Sequence, residues 1–162
     1  MAWVAALNSA LAGNGTFDLP TEAQWEYACR AGTTTRFSFG DAPDITRNCA
    51  DWVGIENPLE NLLWYQCSKN AANGANRVAQ KQVNPWGLYD MHGNMMEYVR
   101  DYYGPYPAGP VIDPFNSTGS EIVVRGGAYN ANGILARSAH RTTAHPNSPA
   151  YFFGFRVVGV KP

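Results

Sequence analysis

The residues of this chain that could do chemistry fall in three groups. Asp90 and Glu97 flank Gly93 in the run LYDMHGNMMEY, placing two carboxylates on either side of a turn. Hard carboxylate oxygens suit a hard cation such as Ca²⁺, which collects about 6–8 oxygen ligands. In the plainer reading Asp90 caps backbone amides and Glu97 pairs with an arginine. The second group is three cysteines, Cys29, Cys49 and Cys67. Their odd number and irregular spacing do not make a disulfide framework, and no CxxC pair signals zinc. The spacing predicts reduced, mostly buried thiols, with a single Cys49–Cys67 bridge as the alternative. The third group is the stretch 129–151. Its Tyr129, Asn130, Asn132, Arg137, His140, Arg141, Asn147 and Tyr151 offer rings to stack and amides and guanidinium groups to hydrogen-bond. For Arg137 and Arg141 a role as internal struts is preferred, because arginine often braces loops through backbone carbonyls.

Other chemistries find no support. His92, His140 and His145 are the only histidines, and they form no HxxxH or HExxH spacing. There is no nucleophile elbow or phosphate loop. His92, between Met91 and Gly93, reads as a turn residue bonded to backbone and not as a base.

Several elements must position these groups. In LPTEAQWEYACRAG (19–32), Thr21 and Gln24 form a capping box that opens a helix. Glu22 and Glu26 sit where the helix dipole favours acid, and Arg30 where it favours base. Trp25, Ala28 and Cys29 make its buried face, and Gly32 is placed as a left-handed cap. An earlier amphipathic helix is expected from Trp3, Val4, Leu7 and Leu11, ending at Gly13. Residues 96–102 alternate, with Met96, Tyr98 and Tyr102 on one side and Glu97, Val99 and Asp101 on the other, which is strand spacing. The runs 121–127 and 154–160 are β-branched and read as two further strands. Residues 33–85 are Asn-rich with no defensible period; excursions this long are usually functional or ion-stabilised. Helices followed by strands predict an α+β domain with a small antiparallel sheet.

Composition bounds the answer. The 162 residues are 45% hydrophobic and 15% charged, which is one domain's worth and not a disordered chain. With 16 Gly, 11 Pro and 14 Asn, a helix bundle is excluded. Twelve basic against thirteen acidic residues leave no surplus for a phosphate backbone, so nucleic acid is not an expected partner. No apolar run is long enough for a membrane helix. With no clear signal peptide, a cytoplasmic location is expected. Charge is uneven: residues 1–60 hold 8 acids and 3 bases, while residues 61–162 hold 5 acids and 9 bases. The expected use of this asymmetry is attraction between the two parts within the fold.

Four segments in order resemble the formylglycine-generating enzyme, or sulfatase-modifying factor, family: LPTEAQWEYACRAG (19–32), NPWGLYDMHGNMMEYVRDYY (84–103), VVRGGAY (123–129) and GFRVV (154–158). The family pattern reads RLPTEAEWEYA, GLYDMxGNVWEW, RGGSW and a closing GFR. The resemblance runs from Trp3 to Val158 and implies a C-type-lectin-like fold over a single domain, residues 1–162. Family members usually carry further residues, including an early strand, before the helix that begins here. The resemblance therefore implies an uncovered sheet edge, and with it a homodimer or a partner that covers the edge.

The resemblance also implies what to look for in the sites. Formylglycine-generating members resemble copper oxidases in which two thiolates hold Cu(I), soft ligands for a soft metal. Those thiolates follow the RGGS motif, whose Ser lines the oxygen site. Here Ala128 stands at the Ser position, Ala131 at the first Cys and, near the second, Ala136; the last cysteine of the chain is Cys67. No copper is expected, nor cysteine-dependent oxidase activity. The family's calcium turn maps onto Asp90, Gly93, Met95 and Glu97, with backbone carbonyls from Gly93 and Met95. A second family calcium site maps onto Asn48 and the carbonyl of Cys49. The loop 129–151 lies where lectin-like domains carry their ligand surface, and it resembles the variable region of retroelement-diversified receptors of that fold. The expected function is a non-catalytic module for a protein, peptide or small-molecule ligand. The alternatives are a formylglycine-generating oxidase acting on a sulfatase cysteine, a diversified receptor, and an appendage of a larger protein.

Overall fold

The computed structural model describes residues 2–160 except 14, 55, 69–73, 148 and 149. Helix α1 (Ala2–Ala10) leads into strand β1 (Thr16–Asp18). The Asn8 side chain clamps that junction, accepting from Phe17 N at 2.6 Å and donating to Phe17 O at 2.8 Å. Val4 and Leu7 of the expected apolar face are half-buried; the Trp3 side chain lies outside the described set. Helix α2 (Glu22–Arg30) has the expected Thr21–Gln24 capping box. Asp101 adds an acceptor for the Glu22 N–H at 2.7 Å, so a carboxylate serves the positive end of the helix. The C-terminal cap is Ala31, at φ 48°, one residue before the expected Gly32. Its N–H reaches Tyr27 O, and Gly32 follows at φ 88°.

Strand β2 (Met96–Tyr102) runs antiparallel to β3 (Ile122–Arg125), which pairs with β4 (Thr142–Ala144). On the other side of β2 lies β5 (Phe153–Phe155), and this pairing is parallel. The four-stranded sheet, in the order β4-β3-β2-β5, is therefore mixed and not purely antiparallel. The expected single strand over 154–160 is in fact two. β6 (Val158–Val160) leaves the sheet and pairs antiparallel with β1. The break falls at Arg156, whose side chain turns inward to Glu97.

Two apolar clusters form the interior. Trp25, Cys29, Met91, Val99 and Val123 pack between α2 and the sheet. Phe37, Ile45, Leu59, Leu63, Tyr65 and Ala136 form a second cluster from loops and 3-10 turns alone. At its edge Cys67, which packs against the cluster, is joined by a disulfide to the exposed Cys49, their Cα atoms 4.8 Å apart. This corrects the expectation of three reduced thiols: the long loop folds back far enough to bring the two cysteines together. Cys29 is the free cysteine, and it is buried.

Candidate functional site

Helix α2 and strand β3 carry the ion pairs that brace the 129–151 loop. Arg125 is wholly buried. It donates to His140 O at 2.6 Å and Ser138 O at 2.8 Å, and it pairs with Glu26 and with Glu22. Arg141 donates to Glu22 at 2.6 Å and to Gly104 O at 2.9 Å, and its guanidinium lies between the rings of Tyr103 and Tyr106. Arg137 donates to Ile134 O at 2.9 Å. These guanidinium groups hold backbone in place. With Asp18–Arg100 and Glu60–Lys81, the Arg125 and Arg141 pairs also carry the attraction between the acidic first part of the chain and the basic remainder.

The predicted ligand residues therefore divide. Tyr129 is buried, and its N–H bonds Asn94 O. Asn132 caps the 3-10 turn Gly133–Ala136 by accepting from Ile134 N. His140 is half-buried, and burial together with Arg137 and Arg125 lowers its pKa. Asn130, Asn147 and Tyr151 face solvent. Tyr151 begins a chain of ring contacts through Phe152 and Phe153 to Tyr98 on β2, with centroid spacings of 5.3, 4.7 and 5.2 Å. This aromatic string was missed in the sequence, although YFFGF (151–155) signals it. A groove of about 1020 Å³ between α2 and the 101–116 excursion, walled by Tyr27, Tyr106 and Phe115, was missed as well. Its lining residues are too far apart in the chain for spacing to reveal it.

The resemblance maps the family's oxygen site onto Ala128, Ala131 and the neighbourhood of Ala136. Ala128 and Ala136 are buried; the Ala131 carbonyl accepts from Gln66 N at 3.0 Å. Beneath them the His92 ring links the two clusters. Its Nδ1 is 2.8 Å from Ala136 O and its Nε2 accepts from Ser38 N at 3.1 Å, which fixes the proton on Nδ1. Burial depresses its pKa to about 4. The Cys29 thiol sits 3.7 and 3.8 Å from the two ring nitrogens, a near-equidistance that favours no single hydrogen bond. Burial pushes its pKa up to about 12, so it stays a protonated, inert thiol.

The 90–97 turn is built around a guanidinium. Arg156 grips both Glu97 oxygens at 2.6 Å and also donates to Tyr89 O at 3.1 Å; Trp25 Nε1 donates to Glu97 Oε2 at 2.6 Å. Asp90 Oδ2 accepts from Ala79 N at 2.8 Å, while Asp90 Oδ1 is buried without a partner. Gly93 is indispensable here. It has φ 93°, and a Cβ would fall 1.9 Å from Trp64 O. Met95 packs beside Gly154. One orphan oxygen on Asp90 would suit a cation, but Glu97 is committed to Arg156. Of the four residues the resemblance maps, Glu97 has both oxygens bonded to Arg156 and Asp90 keeps one unpartnered oxygen. Among the described residues no three His, Cys, Asp or Glu side chains are grouped. Asn48 opens the 3-10 turn Cys49–Trp52, its N–H held by Asp51.

The decisive comparison covers nearly the whole fold. A family model described as the sulfatase-modifying factor enzyme 1-like domain matches residues 2–160. The chain belongs to the sulfatase-modifying factor family. Within it, this chain is 33% identical over 147 residues to the formylglycine-generating enzyme of Streptomyces coelicolor, covering 85% of this chain and 45% of that one. It thus spans less than half the length of that relative. Among solved structures, PvdO from Pseudomonas aeruginosa superposes with a TM-score of 0.78 at 25% identity, covering 96% of this chain and 56% of that one. Treponema denticola variable protein 1 superposes with a TM-score of 0.70 at 28% identity, covering 88% and 47%. These neighbours share the C-type-lectin-like, sulfatase-modifying-factor architecture.

Proposed function

We propose that this sulfatase-modifying-factor domain is a non-catalytic module that binds a protein, peptide or small-molecule ligand. The observation that carries the reading is the replacement of the oxidase thiols. By the resemblance Ala131 stands at the first thiolate and Ala136 near the second, no cysteine follows Cys67 within residues 1–162, and the free thiol, Cys29, is buried and protonated. A methyl group can neither ligate a metal nor be oxidised to a disulfide. The surface left for a ligand is the exposed set Asn130, Asn147 and Tyr151 with the neighbouring aromatic string. The test is copper-supplemented oxidation of a CxPxR peptide, read by mass. No conversion above the protein-free blank is expected; conversion above it would restore the oxidase reading. A diversified receptor is the second reading, favoured by the likeness to Treponema denticola variable protein 1. Sequencing sister copies of the locus should then show substitutions concentrated at 129–151.

Three smaller points belong to this reading. The Cys49–Cys67 bridge favours an oxidising compartment over the cytoplasm, since disulfides form where thiols are not kept reduced. We read the 90–97 turn as an ion pair in which Arg156 supplies the positive charge, and we expect no saturable heat on calcium titration; saturable binding would restore the calcium assignment. Pairing of two copies through the outer edge of β4 or β5 would register as a dimer in light scattering.

A further inference from the structure

We infer that the Cys49–Cys67 disulfide is a redox lock on the 131–136 loop, set by oxidation and released by a dithiol reductant. Its consequence for ligand binding rests on the reading of 129–151 as the ligand surface; the mechanical coupling does not.

The coupling is visible at Gly133. Its backbone is seated so tightly that a Cβ would lie 2.4 Å from Ile45 Cδ1 and 3.1 Å from Tyr65 Cδ2. Ile45 and Tyr65 are thus the two walls of a slot that holds the 3-10 turn Gly133–Ala136, and both are almost fully buried. Ile45 lies just upstream of Cys49, and Tyr65 just upstream of Cys67. The disulfide therefore ties together the two chain segments that form the walls. On the Tyr65 side the hold is extended by Gln66 N donating to Ala131 O at 3.0 Å, and Cys67 packs against the cluster that contains Ala136.

On the Ile45 side the backbone bonds among the described residues are local. The backbone N–H groups of Ile45, Asp51 and Val53 bond to Ala42, Asn48 and Ala50, all within the same segment. Residues 46–51 are exposed. Among the described residues that wall is held by the Ala42, Ile45 and Trp52 side chains and by the disulfide. Local segments with few buried contacts and self-contained hydrogen bonds open well before the rest of a fold.

Cys49 is exposed and Cys67 half-buried, so an incoming thiolate reaches the Cys49 sulfur. Attack there forms a mixed disulfide and expels Cys67 as a thiolate, which takes up a proton. The second thiol of the reductant then displaces Cys49. The products are two cysteine thiols and the oxidised dithiol, so two electrons and two protons move from reductant to protein. Exposed disulfides are the ones that exchange readily, whereas enclosed ones resist.

The experiment is hydrogen–deuterium exchange on the full chain, oxidised and after treatment with dithiothreitol, with thiols counted by alkylation under native conditions. Two new alkylations are expected, since Cys29 is buried and protonated. Amides of 131–136 should then exchange about tenfold faster or more, while Met96–Tyr102 and Ile122–Arg125 stay protected. The C49S/C67S variant should reproduce the reduced pattern without reductant. A disulfide that resists the dithiol in the native protein overturns the proposal, as does unchanged exchange at 131–136. An equal rise throughout the four-stranded sheet also overturns it, because the bond would then stabilise the whole domain and not the loop. Failure to find a ligand would sink the binding reading and leave the exchange result standing.

Discussion

The two interior clusters are built from different materials. Around Trp25, Cys29, Met91, Val99 and Val123, a helix and a sheet contribute regular backbone hydrogen bonds and fix the side chains that fill the space between them. Around Phe37, Ile45, Leu59, Leu63, Tyr65 and Ala136, the chain contributes turns, side-chain-to-backbone bonds and one disulfide. Asn57 is typical of the second cluster. Its amide serves Tyr65 Oη at 2.9 Å, and its Oδ1 accepts from Leu59 N. The first cluster can lose a side chain and keep its backbone scaffold. In the second, the side chains are the scaffold. His92 is the joint between them, bonded to Ser38 and Ala136 on the loop side and touching Cys29 on the helix side.

Substitutions can break this contrast at several points. Trp25→Ala should have the largest effect, about 4 kcal/mol in denaturant unfolding. It empties a fully buried site and removes the indole N–H that donates to Glu97. Unfolding should remain cooperative, because the surrounding helix and strands persist. Removing the bridge with C49S/C67S should cost about 3 kcal/mol for a loop of this length. Here the loss should appear first in the loop cluster, as an early transition in tryptophan fluorescence from Trp52 and Trp64. A single coincident transition would mean that the two clusters fold as one.

Acid probes the joint. His92 titrates near 6.5 when unfolded and near 4 when folded, so the folded state binds its proton less readily. Its neutral form contributes stability that is fully present above about pH 6.5 and is lost as pH falls towards about 4, on the order of 3 kcal/mol. Urea midpoints measured from pH 7 to 4 should fall, and His92→Gln should flatten that slope. An unchanged slope in the variant would assign the acid sensitivity elsewhere. The smallest effect belongs to Arg100→Ala. It removes a half-exposed pair with Asp18, and a change within about 0.5 kcal/mol is expected in the same assay.

The regular half of the molecule could be read from its residues, because local signals and final structure agree there. Thr21 and Gln24 make their capping box wherever the helix docks, and the alternation over 96–102 survives in β2, with Glu97, Val99 and Asp101 buried. Legibility ended where a distant partner decides. Nothing local distinguishes Arg156 from a strand residue; only Glu97, far away in sequence, turns it inward and splits β5 from β6. The Cys49–Cys67 pairing depends on the path of an excursion without periodicity. The candidate site was half legible for the same reason. Asn130, Asn147 and Tyr151 are exposed as their types suggest. Tyr129 and Asn132 look equally suited to a ligand, yet Tyr129 is buried with its N–H bonded to Asn94 O, and the Asn132 side chain caps a turn inside the loop.

The pairing of β1 with β6 joins residues 16–18 to residues 158–160. A ribosome delivers the second of these strands long after the first, so the first waits unpaired while nearly the whole domain is made. Arg156, which satisfies the buried Glu97 carboxylate, arrives equally late. Until then the nascent chain exposes a strand edge and an unneutralised acid, the features that recruit chaperones and permit mispairing between neighbouring chains. The domain is therefore expected to close in a single late event and not to mature progressively from its first helix.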